Sequence, residues 1–169
     1  MIDKRSWILV LVAFLVTMPA VAGDAPAQAA FERLKGLAGT WAEASAEAGE
    51  GASTHVFQVS ANGTVVMETM FPGTEHEMIN MYHLDGDSLM LTHYCAGGNQ
   101  PRMRLASTST DDDMVFEFDG GTNLDPEKDA YIHDARLVFD GDTLESSWTS
   151  WNAGQEGDKM VFTLRRAGS

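Results

Sequence analysis

Seven polar side chains of kinds that do chemistry recur along this sequence at strand-alternate positions among aliphatic and aromatic neighbours: His55, Glu68, Asn80, Tyr82, His93, Cys95 and His133. The densest group lies in "LTHYCAGGNQPR", residues 91–102, where a histidine, a tyrosine and the only cysteine of the chain lead into a loop carrying Asn99 and Gln100. Three chemistries use such residues. Imidazole, thiol and carboxylate can serve as base, nucleophile and orienter, here His93, Cys95 and Glu68. Imidazole and thiolate can ligate zinc, copper or haem iron, here His93 and Cys95 on one strand face with His133 from across. A few polar groups converging in an apolar cavity can orient a small ligand. The third fits best. No nucleophile elbow, glycine-rich phosphate loop or paired-histidine helix accompanies the first, and the spacing matches no recognised ligand pattern for the second. The acidic run "DDDMVFEFDGGTNLDPEKD" departs from the calcium-loop pattern and reads as a solvated loop.

The elements that must position these residues are strands. "HVFQVS-ANG-TVVMETMF", "EMINMYHL-DGD-SLMLTHYC" and "YIHDARLVF-DGD-TLESSWTSW" are hairpins around Asn62-Gly63, Asp85-Gly86 and Asp140-Gly141. These dipeptides accept the positive φ angles of a type I′ turn. "RMRLAST", "MVFEFD" and "KMVFTLRR" add further strands, and Thr40-Trp41 begins the first. Ahead of them, "AQAAFERLKGLAGTW" spaces Phe31, Leu34 and Leu37 three apart and predicts one short amphipathic helix with a glycine stop. Nine or ten short strands and one helix indicate an all-β antiparallel up-and-down barrel or a sandwich. The stretch "AEASAEAGEGAS" is too small and polar for a core and reads as a loop.

Side chains alternate across a strand, so the hairpins assign faces. In the first, His55, Phe57, Val59, Val66, Glu68 and Met70 share one face. In the second, Met78, Asn80, Tyr82 and Leu84 lie with Leu89, Leu91, His93 and Cys95. In the third, the expected register sets Leu137 opposite Leu144, Ala135 opposite Ser146, and His133 opposite Trp148. The interior therefore gathers the polar set. The expected ligand-binding residues are Glu68, Tyr82, His93, Cys95, Asn99, Gln100, His133 and Trp148, with the two amides at the rim and Trp148 packing on the ligand.

The chain opens with Lys4 and Arg5, an apolar run from Trp7 to Met18, and Ala20-Val21-Ala22. That pattern predicts a secretory signal peptide over residues 1–22, too short to span a bilayer. The rest suits one domain: a flexible start over 23–30 and a barrel over 31–167. Export to the periplasm or beyond is expected. The net charge of −14 becomes one unit more negative without Asp3, Lys4 and Arg5. So acidic a surface repels phosphate backbones and anionic lipid, which argues against nucleic acid and membrane partners. With a single cysteine there is no internal disulfide, so apolar burial must hold the fold. The expectation is a small, largely apolar ligand, no cofactor, no metal and no catalytic role.

"FERLKGLAGTW", "VVMETMFPGTEHEM", "YHLDGDSLMLTHYCAGGNQPRM" and "IHDARLVFDGDTLESSW" together resemble a family of small bacterial proteins of unknown function with a lipocalin-like (calycin) barrel. The likeness covers residues 31–166 and implies an antiparallel barrel closed at one end by the N-terminal helix. Gly39-Thr40-Trp41 is also similar to the opening of nitrobindin-type haem barrels. Those continue with a glycine-alternating run and carry a haem-ligating histidine near the C-terminus. Here "AEASAEAGEG" follows the tryptophan and no histidine lies beyond His133.

Overall fold

A computed structural model describes residues 26–44 and 53–168. The signal peptide expected over 1–22 and most of the polar loop after the first strand lie outside the described residues. Helix α1 (Pro26–Lys35) precedes ten strands: β1 (Gly39–Glu43), β2 (Thr54–Ser60), β3 (Val65–Met70), β4 (Met78–Asp85), β5 (Ser88–Tyr94), β6 (Gln100–Leu105), β7 (Asp113–Thr122), β8 (Ala130–Asp140), β9 (Thr143–Asn152) and β10 (Gln155–Arg166). Each strand pairs antiparallel with its sequence neighbour, and β10 pairs with β1 to close the barrel. Closure removes the unpaired edges that an open sheet of this size would present. The helix begins at Pro26, so its first turn lies in the segment read as a flexible start.

The up-and-down order puts the loops at two ends. At one, α1 lies across the β4–β5 and β8–β9 turns and the loop after β6. Phe31 and Leu34 are fully buried there, and each such side chain contributes about 1.5–3 kcal/mol. Arg33 reaches Asp112 (2.6 Å) and sits over the Phe139 ring. From β10, Arg166 donates to the carbonyls of Gly36 and Ala38 at the end of the helix, and its guanidinium lies over Trp41, whose indole N–H donates to Leu37 O (2.7 Å). This end is closed. The acidic run expected as a solvated loop is largely strand β7, and its Asp113 and Asp119 pair with Arg136 and Arg104.

The first two hairpins have the expected faces, and the first has the register that a turn at Asn62-Gly63 sets, whereas the second is shifted by two residues from that of a turn at Asp85-Gly86. His55 faces Met70, Phe57 faces Glu68 and Val59 faces Val66. Asn80 faces His93, Tyr82 faces Leu91 and Leu84 faces Leu89. The turns differ from the type I′ expectation. In both "DGD" segments the loop is Gly-Asp, with glycine at its first position (Gly86 φ 58°, Gly141 φ 56°), while neither Asp87 nor Asp142 has positive φ. That is the residue demand of a II′ turn. The first hairpin instead turns through a single 3-10 turn, Ala61–Gly63, with three successive positive φ values.

The third register is corrected. Because the loop is Gly141-Asp142 and not Asp140-Gly141, Leu137 faces Ser146 and Ala135 faces Trp148. Faces survive the two-residue shift, since the side-chain period is two. Partners do not. A bulge between Ile132 and Asp134 then leaves His133 as the unpaired residue, so it does not stand opposite Trp148.

The interior falls into three layers. Leu89, Leu137, Leu144, Met114 and the helix fill the closed end, with Leu91, Met103, Phe116 and Tyr82 above them. Next comes the polar layer of Glu68, Asn80 and His93. Side chains of the described residues do not fill the far end. Met160 pairs with Trp148, which is 1% exposed, and so shares its inward face, yet Met160 is 39% exposed.

Candidate functional site

Glu68 is the hub of the polar layer. It sits in the middle of β3, on the inward face fixed by Val66 and Met70, and is wholly buried. A carboxylate taken from water into such a place is costly unless its oxygens are satisfied. Three donors satisfy this one. Tyr82 Oη donates to Oε2 (2.7 Å), Asn80 Nδ2 donates to the same oxygen (2.9 Å), and His55 Nδ1 lies 2.6 Å from Oε1. All four side chains come from three adjacent strands. The alternation of β2, β3 and β4 is what brings them together.

The network dictates tautomers. Asn80 uses its amide N–H toward Glu68, so its Oδ1 is the atom facing His93 Nδ1 at 2.6 Å. An amide oxygen only accepts, so His93 carries its proton on Nδ1. His55 likewise gives its Nδ1 proton to the carboxylate. Neither imidazole Nε2 has a hydrogen-bond partner, although His55 is 0% and His93 1% exposed. Buried polar atoms without partners are rare and each costs about 1–3 kcal/mol. Burial pushes the pKa of His93 down from 6.5 to about 4, against the opposing pull of the Glu68 charge. Burial, reinforced by Glu68, raises Tyr82 well above 10. The His93 ring lies 5.5 Å from that of Trp148, whose indole N–H donates to Ser146 Oγ (2.9 Å).

Above this layer the barrel mouth holds a cavity of about 590 Å³, lined by Thr54, Phe71, Pro72, Met78, Ala96 and Met160 among others. His55 forms the link between cavity and network. Its ring packs on Phe71 (centroids 5.8 Å) and Phe162 (5.3 Å), and Phe71 is a cavity wall.

Of the eight expected residues, the structure joins Glu68, Tyr82, His93 and Trp148 in one buried cluster. Cys95 is not in the cavity wall. Strand β5 ends at Tyr94, Cys95 opens a turn closed by the Gly98 N–H to its carbonyl, and its half-buried Sγ accepts from Gly97 N (3.4 Å). Asn99 and Gln100 are at the mouth end but serve the loops. Asn99 Nδ2 donates to Ala130 O (2.8 Å), and Gln100 Oε1 accepts from Thr122 and Asn123. His133 belongs to a separate aromatic group, stacked on Trp151 (4.2 Å) and Phe118 (5.0 Å) with Nδ1 at 2.9 Å from Asp134.

The set His93, Cys95 and His133 is therefore not assembled, and among the described residues no three His, Cys, Asp or Glu side chains could hold a metal ion. The proposed base, nucleophile and orienter also fall apart, because His93 bonds Asn80 while Cys95 is tied to its own turn. Reading the sequence missed His55 and Asn80 as site residues, and Phe71, Met78 and Met160 as cavity walls. The signal for His55 was present, since it shares an inward face with Glu68 one step along the hairpin.

The closed antiparallel ten-stranded barrel is compatible with a calycin-like fold. No protein-family model matches the chain, and no curated protein does.

Proposed function

We propose that this chain is an exported binding protein for a small, largely apolar molecule held in the barrel mouth. The observation that carries the reading is the pairing of an apolar cavity with a buried imidazole behind its wall that has an unused Nε2. A barrel that needed only packing could fill its interior with aliphatic side chains, as this one does at its closed end. Instead it keeps a buried carboxylate and two half-used imidazoles on the side facing the mouth. Pockets that recognise small molecules have this composition, mostly apolar with a few oriented polar groups. The apolar run and small-residue site near the N-terminus support export. His55 Nε2 has no protein hydroxyl or thiol in hydrogen-bond reach, so the His55–Glu68 pair has no nucleophile of the chain's own to activate.

Protein purified from its native source, extracted with organic solvent and examined by mass spectrometry, is expected to release a stoichiometric small molecule. N-terminal sequencing of the same sample is expected to begin near Gly23. An empty barrel that binds no alkyl probe, or a chain retaining residues 1–22, contradicts the binding and export parts respectively.

A further inference from the structure

We propose that Phe71 covers a polar subsite, in which His55 Nε2 accepts a hydrogen bond from the O–H or N–H of an amphipathic ligand whose apolar part fills the mouth cavity. The inference rests on the mouth-binding reading and adds the chemical class of the ligand: a molecule with one donor at the end of an apolar body.

Three observations converge on it. The first is the orphan atom. His55 is completely buried, its Nδ1 proton is taken by Glu68, and its Nε2 has no partner. With its Nδ1 proton given to Glu68, the neutral ring leaves Nε2 as an acceptor, and in that form the subsite discriminates in favour of donors. The second is the cover. The His55 ring is sealed by Phe71 and Phe162, which also touch each other (5.6 Å), and of these two Phe71 lines the cavity. In the proposed bound state the Phe71 ring turns aside to open the cavity toward His55. The third is backbone conformation. Phe71 directly follows β3 with φ 53°, a left-handed conformation that an aromatic residue rarely adopts, and it is held there by its N–H donating to Thr54 O (2.8 Å). Strained residues of this kind collect at ligand clamps, where the surrounding structure over-determines them. Here the strain holds a hydrophobic ring between cavity and imidazole. His93 Nε2 is equally bare, but its ring lies against Trp148, which is not a cavity wall, so the subsite is assigned to His55.

The test compares two isomers of equal size, decan-1-ol and methyl nonyl ether, which differ in the hydroxyl donor. The protein, labelled with nitrogen-15, is titrated with each, and the imidazole nitrogens are read by long-range proton–nitrogen NMR. Decan-1-ol is expected to bind about tenfold tighter, the effect of one buried hydrogen bond, and to move the His55 Nε2 resonance upfield while the ether leaves it in place. In His55→Phe the two affinities should converge. Should that variant fail to fold, the wild-type Nε2 resonance decides alone. Equal binding of both probes with an unmoved Nε2 overturns the subsite and leaves the mouth-binding reading standing. Binding of neither overturns both.

Discussion

Replacing His93 by leucine separates the acid sensitivity of the polar layer from its contribution at neutral pH. At pH 7.5 two effects oppose. The change removes a buried Nε2 that has no partner, and it leaves Asn80 Oδ1 without the Nδ1 proton it accepts. Each unsatisfied group costs about 1–3 kcal/mol, so the two nearly cancel and the variant should stay within about 1 kcal/mol of the parent. In acid the balance changes. Burial holds the folded-state pKa of His93 near 4, against 6.5 when the chain is unfolded. Between those values the unfolded chain takes up a proton that the folded chain refuses. Stability is therefore full above about pH 6.5 and is withdrawn as the pH falls toward 4. At about 1.4 kcal/mol per unit, the parent loses about 3 kcal/mol by pH 4 through this group alone. His93→Leu cannot lose it. Other groups titrate in both proteins, so the difference between them isolates His93. Urea unfolding followed by tryptophan fluorescence should give equal midpoints at pH 7.5 and a variant more stable by about 3 kcal/mol at pH 4. Parallel loss of stability in the two proteins would refute the burial argument.

Glu68→Leu strands three buried donors and should destabilise by several kcal/mol in the same assay. Glu68→Gln should cost far less, because its amide oxygen still accepts from Tyr82 and Asn80 while its N–H turns His55 to the opposite tautomer, so the preference of the mouth should shift from decan-1-ol toward methyl nonyl ether. Arg166→Ala removes donors to Gly36 O and Ala38 O at the helix end and should lower stability by about 1–3 kcal/mol, seen as a lower melting temperature. Added zinc should leave the melting temperature of the parent and of Cys95→Ser unchanged, since a metal bound only to the folded state would raise it.

Much of this architecture was legible in the residues. Period-two alternation in "HVFQVS" and "TVVMETMF" put His55 and Glu68 inside together, and the same rule put Asn80 on the face of His93. The two "DGD" hairpins were legible only to their faces. "DGD" allows the loop to fall on either pair of its residues, and the bulge that frees His133 has no local signature in "YIHDAR". Cys95 was misplaced by a single residue, because nothing in "THYCAGG" marks where ladder pairing gives way to a turn. The cavity was not legible at all. It depends on where Met160 and Phe71 stand around the mouth, a property of strand tilt and loop path that alternation does not encode.

The central claim is that the mouth, and not the packed interior, receives an apolar molecule. Methionine side chains report both places: Met78 and Met160 line the cavity, while Met103 and Met114 lie in the closed core. Methyl NMR of protein labelled at methionine, titrated with decan-1-ol, should show saturable shifts at Met78 and Met160 with Met103 and Met114 unmoved. Silence at all four up to the solubility limit of the alcohol, or shifts confined to Met103 and Met114, would contradict the account.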